Sequence, residues 1–297
     1  MCDEYGHEEM EQYLASQKIS RRDFTTAAAV AALAGMGLSA CGDNVSDTGS
    51  GLVEAQVSIP SADGEIDGLF VHPEAGATAA VIMWPDIHGL RPAFNNMARR
   101  LAGEGYAVIT ANPYYRTFKG RLFADGEHIR MPGGFDRVKP HRAPLSPETI
   151  QADTAAIVSW LDAQRAVDSA RGIGAMGYCM TGSWTMRAAA HLPDRVKAPC
   201  SYHGGQLVTD ALDSPHQLVS QMSGGALIAI AEDDHARDPN AKPALVAAFE
   251  TAGLPADIEV YPGAKHGWCK TDSPSYNEDQ AERAWAKTLE LFKKQLA

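Results

Sequence analysis

From Val53 to the C-terminus the chain alternates short, apolar, β-rich runs with longer stretches of helical periodicity. The runs Ala55–Ile59, Ile66–His72, Ala79–Trp84, Ala107–Thr110, Gly172–Gly177, Ala198–Tyr202, Ala226–Ala231 and Asp257–Tyr261 read as strands. Ala93–Glu104, Pro147–Gln164, Gly182–His191, Ala241–Ala252 and Asn277–Leu296 read as helices. Helices standing between buried strands are the pattern of a mostly parallel sheet covered on both faces. The predicted fold class is therefore α/β, as one domain over residues 53–297. Ser146-Pro147-Glu148 gives the second helix a cap, a proline start and an early acid. Between Tyr114 and Pro144 the chain is rich in Arg, His, Gly and Pro and shows little periodicity. Segments of this kind inside a domain are usually functional.

Charge narrows the partners. With 26 Lys+Arg against 37 Asp+Glu the net charge is −11, which argues against a nucleic-acid-binding surface, since that needs a basic patch. Hydrophobic residues at 45% and charged residues at 21% are ordinary for a chain that buries a core. Five cysteines are too few to staple 297 residues into a disulfide scaffold.

The first forty residues differ from the rest. An acidic, polar opening leads to Ser20-Arg21-Arg22-Asp23-Phe24 and then to an alanine-rich stretch from Ala27 to Ala40, too short to span a bilayer. A basic pair, a short apolar segment and a small-residue site make the pattern of an export signal. The arginine pair resembles a twin-arginine (Tat) signal, although Thr25 and Thr26 replace its usual apolar residue and lysine. Leu38-Ser39-Ala40-Cys41 resembles a lipobox. By that resemblance Cys41 becomes a lipidated N-terminus, and acyl chains are the only membrane attachment. Residues 1–40 are thus expected to be the signal and 41–52 a polar, flexible tether. The expected location is periplasmic or otherwise extracytoplasmic; the alternative is a cytoplasmic protein with an N-terminal arm.

The residues that carry chemistry lie at strand ends. Gly174-Ala175-Met176-Gly177-Tyr178-Cys179-Met180-Thr181-Gly182 runs a strand into a cysteine and on into a helix through small residues. That is the setting of a nucleophile elbow, and the following helix N-terminus favours a thiolate and offers N–H groups to an oxyanion. The other reading is a buried, inert thiol. Downstream, one strand ends at Glu232-Asp233-Asp234-His235, and another leads into Gly263-Ala264-Lys265-His266. Nucleophile, acid, histidine is the chain order of α/β-hydrolase triads, and open α/β sheets build sites at strand carboxyl ends.

With these residues the sequence resembles the dienelactone hydrolase family, α/β-hydrolases with a cysteine nucleophile, from about Val53 to the C-terminus. Gly177-Tyr178-Cys179 is similar to its G-Y-C elbow, Asp234-His235 to its acid-bearing pair, and Gly263–His266 to its histidine loop. The resemblance implies a Cys179–His266–Asp234 triad and an oxyanion hole from the N–H groups of Met180 and Ile87. It implies a regulating carboxylate at Asp86 in Pro85-Asp86-Ile87-His88-Gly89, a small ester or lactone as substrate, and no metal or organic cofactor. Three positions depart from the family: Thr181 replaces a glycine, Asp86 a glutamate, and Lys270, four residues after the histidine, an anion-binding arginine. Lys270 is the expected substrate-binding cation, together with one of Arg116, Arg130 or Arg142 in the long segment. Two other functions fit the same residues: a broader esterase or thioesterase taking bulkier, uncharged acyl groups, and an inactive tethered binding protein. Cys200 and Cys269 are expected to be free thiols.

Overall fold

The computed structural model describes residues 45–47, 51–125 and 127–297. The expected signal at 1–40 and the lipidation site at Cys41 lie outside these residues. Nine strands form one sheet: β1 (Val45–Asp47), β2 (Leu52–Ser61), β3 (Gly64–Pro73), β4 (Ala80–Trp84), β5 (Ala107–Ala111), β6 (Ile173–Tyr178), β7 (Val196–Tyr202), β8 (Ala226–Ala231) and β9 (Ala256–Tyr261). Their spatial order is β1-β2-β3-β5-β4-β6-β7-β8-β9. β1, β2, β3 and β5 pair antiparallel with their neighbours, and from β5 onward all pairs are parallel. This is the α/β-hydrolase arrangement. Within the segment read as a tether, Val45–Asp47 pairs with Val53–Ala55 as an edge strand.

Seven α-helices are described: α1 (Pro92–Gly103), α2 (Gly134–Arg142), α3 (Pro147–Asp162), α4 (Gly182–His191), α5 (Glu232–Arg237), α6 (Ala241–Ala252) and α7 (Glu278–Gln295). The central strands are buried on both faces, and alternate residues point to opposite layers. Ile82 and Trp84 pack with α3, α4 and α6 through Ile157, Trp184 and Leu245. Val81 and Met83 pack with α1 and α7 through Phe94 and Phe292. Two of these helices were not expected from sequence. α2 lies inside the long Tyr114–Pro144 segment, and α5 carries the Glu232-Asp233-Asp234 run that follows β8. The other five helices lie where the periodicity predicts them, within a residue or two at each end.

The sheet delivers its carboxyl ends to one side, and the sharpest feature there is the junction of β6 and α4. Cys179 opens a 3₁₀ turn (Cys179–Thr181) with φ of 56°, in the left-handed region, where a side chain other than glycine is strained. Strand and helix backbones meet so closely that a Cβ on Gly177 would lie 2.2 Å from the Thr181 carbonyl oxygen. Thr181, which stands where the resemblance has a glycine, is fully buried and closes the turn. Its hydroxyl accepts from the Tyr178 N–H at 2.9 Å and lies 3.0 Å from the Trp84 carbonyl oxygen, where it donates. The β-branched residue thereby joins the elbow to the end of β4. Gly177→Ala should cost roughly 1–3 kcal/mol or more through overpacking in urea unfolding. Gly205→Ala, where a Cβ would meet nothing within 4 Å, should change stability by less than about 0.5 kcal/mol.

Candidate active site

Cys179, Met180, Ile87, Asp234 and His266 line one cleft of about 700 Å³ at the carboxyl end of the sheet. They arrive from four strand ends: Ile87 after β4, Cys179 and Met180 after β6, Asp234 after β8 and His266 after β9. His266 Nδ1 lies 2.7 Å from Asp234 Oδ2, so the carboxylate fixes the tautomer by accepting from Nδ1. His266 Nε2 is buried and has no hydrogen-bond partner among the described residues. Both carboxylates of the pair hold this loop, since Asp233 Oδ1 accepts the His266 backbone N–H at 2.8 Å. Arg237 pairs with the other oxygen of Asp234.

The Ile87 turn is braced from two directions. Gly89 N–H donates to the Asp86 carbonyl at 2.9 Å, with Gly89 at φ 77°. The Tyr114 hydroxyl donates to the Ile87 carbonyl at 2.7 Å, which fixes the plane of the following peptide. Tyr114 in turn has its N–H bound to the Asn112 side chain at 2.9 Å.

Beneath the turn lies a buried charge network. Asp86 accepts two bonds from Arg91, at 2.7 and 3.1 Å, one from the His88 N–H at 2.9 Å, and an ion pair from Lys270. Burial opposes its charge, but the Arg91 guanidinium and Lys270 ammonium outweigh that and hold the carboxyl well below the usual range. Arg91 also reaches Asp272.

Two sequence expectations about cations need correction. Lys270, expected to bind the substrate anion, is buried against Asp86 and is not among the residues that line the cleft. Arg116, expected in the same role, grips Asp153 with two bonds of 2.7 Å and Asp63 with one of 2.8 Å, fastening its loop to α3 away from the cleft. Of the three arginines weighed in that segment, Arg142 lines the cleft. Cys200 and Cys269 are free thiols, and burial pushes both far up, so they are inert.

Sequence reasoning missed a set of buried histidines. His203, directly after β7 and at φ 40°, packs edge-on to His266 with ring centroids 4.7 Å apart. Neither of its ring nitrogens has a hydrogen-bond partner among the described residues. Burial, with His266 and Lys270 beside it, pushes its pKa well down. His88 and His128 meet edge-on near Asp86, with ring centroids 4.5 Å apart; burial, then Arg91, lowers His88 far, and burial, then Lys270, lowers His128 to about 4. The signal for His203 was legible, because it stands at a strand end before Gly204-Gly205, as the other site residues stand at theirs.

Comparison with known proteins identifies the family. The model of the dienelactone hydrolase family matches residues 66–296. The chain belongs to the dienelactone hydrolase family. A Salmonella typhi protein provisionally named carboxymethylenebutenolidase is 28% identical over 251 residues, covering 82% of this chain and 89% of that protein. The Rhodococcus opacus carboxymethylenebutenolidase is 23% identical over 234 residues, covering 77% and 86%. A Klebsiella pneumoniae crystal structure, provisionally named a dienelactone hydrolase, superposes with a TM-score of 0.70 at 25% identity, covering 82% of this chain and 99% of that one. At the level of the family the chain is a carboxylic ester hydrolase.

The buried histidines make stability depend on pH. They stay neutral in the fold, whereas in the unfolded chain they take up protons below about pH 6.5. Stability should therefore fall as pH drops through about 6.5 toward 4, by up to about 1.4 kcal/mol per pH unit for each histidine held neutral. Urea unfolding from pH 7.5 to 5 measures this slope, and His203→Phe should make it shallower.

Proposed function

We propose that this protein hydrolyses small carboxylic esters or lactones through a Cys179 thiolate, with His266 as proton carrier and Asp234 holding its tautomer. The observation that carries this reading is the Asp234–His266 pair at 2.7 Å, in one cleft with a cysteine held left-handed at a strand-to-helix elbow. His266 Nε2 takes the Cys179 proton, and the sulfur attacks the carbonyl carbon. The carbonyl electron pair moves onto oxygen, which the N–H groups of Met180 and Ile87 receive. Loss of one such donor typically costs about 2.7–4 kcal/mol of barrier. Collapse breaks the C–O bond, and His266 gives its proton to the departing alkoxide. Water then attacks the thioester carbonyl while losing a proton to His266. The second collapse expels the Cys179 thiolate, which recovers that proton, and the carboxylic acid leaves.

Asp86 supports this chemistry as an anchor. With Arg91, Lys270 and the His88 N–H on its oxygens, it fixes the turn that offers the Ile87 N–H. Of the three arginines weighed in the long segment, Arg142 is the one that lines the cleft and is available to a substrate anion.

Cys179→Ala should abolish hydrolysis of dienelactone and short p-nitrophenyl esters. Asp234→Asn should lower kcat by about 10²–10⁴-fold with a smaller effect on KM. Wild-type rates in Cys179→Ala would refute the thiol assignment. Export and lipid anchoring at Cys41 are part of the same reading. In a bacterial host, Cys41→Ala should move the protein from the membrane fraction to the soluble fraction, and mass spectrometry of the wild type should find a lipidated Cys41 terminus.

A further inference from the structure

The cleft is larger than a compact lactone requires, and one of its walls joins the proposed oxyanion residues. Its volume of about 700 Å³ lies in the range that encloses drug-sized ligands, about 300–1,000 Å³. One wall comes from α2, whose Phe135, Val138, Lys139 and Arg142 recur at helical spacing and all line the cleft. Val138 belongs to the same apolar cluster against which Ile87, Met180 and Phe135 pack, so that wall is continuous with the two residues proposed to hold the oxyanion. Val208 also lines the cleft. Beyond His266 the lining is mixed, with His235, Arg237 and Lys242 beside Ile230, Ala241 and Leu245. α2 is built to stay against its support: a Cβ on Gly134 would lie 2.2 Å from the Ile129 carbonyl oxygen.

The direction of the reaction decides which part of an ester meets which wall. His266 must reach the leaving alcohol with its proton, so the alcohol departs on the His266 side. The acyl group then runs from the oxyanion site along Ile87, Met180, Val138 and Phe135. We propose that the preferred substrates carry an extended apolar acyl group, of hexanoyl to octanoyl size, and that α2 is the element that selects it. This rests on the thiol reading of the preceding subsection and adds to it the class of acyl group.

The test is a p-nitrophenyl ester series from acetyl to decanoyl, run on the full chain. kcat/KM should rise about two- to fourfold per added methylene, in line with the transfer free energy of a CH₂ group, and level off near octanoyl. Phe135→Asp, which puts a charge in the wall, and Val208→Trp, which narrows the cleft, should each lower the octanoyl-to-acetyl ratio at least tenfold. A wild-type profile that is flat or falls from acetyl overturns the proposal, as does a ratio that neither substitution changes. A parallel series of alkyl acetates should be flat; a chain-length gain there, with none in the acyl series, overturns the assignment of the wall to the acyl group.

Cys179→Ala separates the two readings. If it abolishes activity while the acyl profile of the wild type is flat, the acyl wall alone fails. If it retains both activity and chain-length preference, the thiol mechanism fails and the wall stands. Should none of these esters turn over, protection of Cys179 from iodoacetamide provides the readout. Octanoate protecting well beyond acetate supports the proposal, and equal or absent protection overturns it.

Discussion

Everything at the reaction centre depends on how closely the backbones of β6 and α4 approach. Gly177 has no room for a Cβ, and Gly182 has no more, since a Cβ there would lie 2.5 Å from the Gly204 Cα. With both positions reduced to backbone, the chain can reverse within one 3₁₀ turn and leave Cys179 in the left-handed region. Conformational strain of this kind, of order 1–3 kcal/mol, persists only where the surroundings over-determine it. Here the surroundings are the parallel neighbours β4 and β7 and the Thr181 hydroxyl, which binds Tyr178 and Trp84. The elbow is therefore a property of the sheet centre and not of a loop.

The Ile87 turn is held by a different kind of force. Its anchor is a charge, Asp86, that is 2% exposed and would be strongly disfavoured if it stood alone. Arg91 supplies two geometrically matched donors and Lys270 a point charge. Removing any one partner would leave the others buried and unbalanced. Such a network adds little net stability compared with an apolar core, and its value lies in specifying one orientation for the peptide it supports.

Much of the fold was legible because periodicity reports burial. All eight expected strands formed; the central parallel ones are buried on both faces and read as apolar runs, while β2 and β3 belong to the antiparallel part of the sheet. α2 was not legible. Its cleft-facing residues mix Phe135 and Val138 with Lys139 and Arg142, and Pro140 sits in its last turn. A functional wall that is apolar at one end and charged at the other carries no clean helical stripe. Cys179, His266 and the Asp233-Asp234 pair stood out by their positions at strand ends, the choice of Asp234 came from the family resemblance, and Cys179, Asp234 and His266 line one cleft. The cations were not, because an arginine's sequence neighbours do not say whether a carboxylate of its own protein waits for it. Arg116 finds Asp153, 37 positions away, and no local pattern encodes that pairing.

The same reasoning ties two departures from the family pattern into one. Asp86 stands where the family has glutamate and Lys270 where it has arginine, and in this structure the two residues bond to each other. A carboxylate one methylene shorter stays close to its own backbone turn, where its oxygens already meet Arg91 and the His88 N–H. A lysine can complete that set because one ammonium needs only one oxygen, whereas a planar fork would compete with Arg91 for both. Once Lys270 is committed inward, the positive charge left lining the cleft comes from the helices, at Lys139 and Arg142 of α2, Arg237 of α5 and Lys242 of α6. In the proposed function a substrate anion would therefore meet cations on the helices over the cleft and not on the histidine loop, and α2 carries the apolar wall as well.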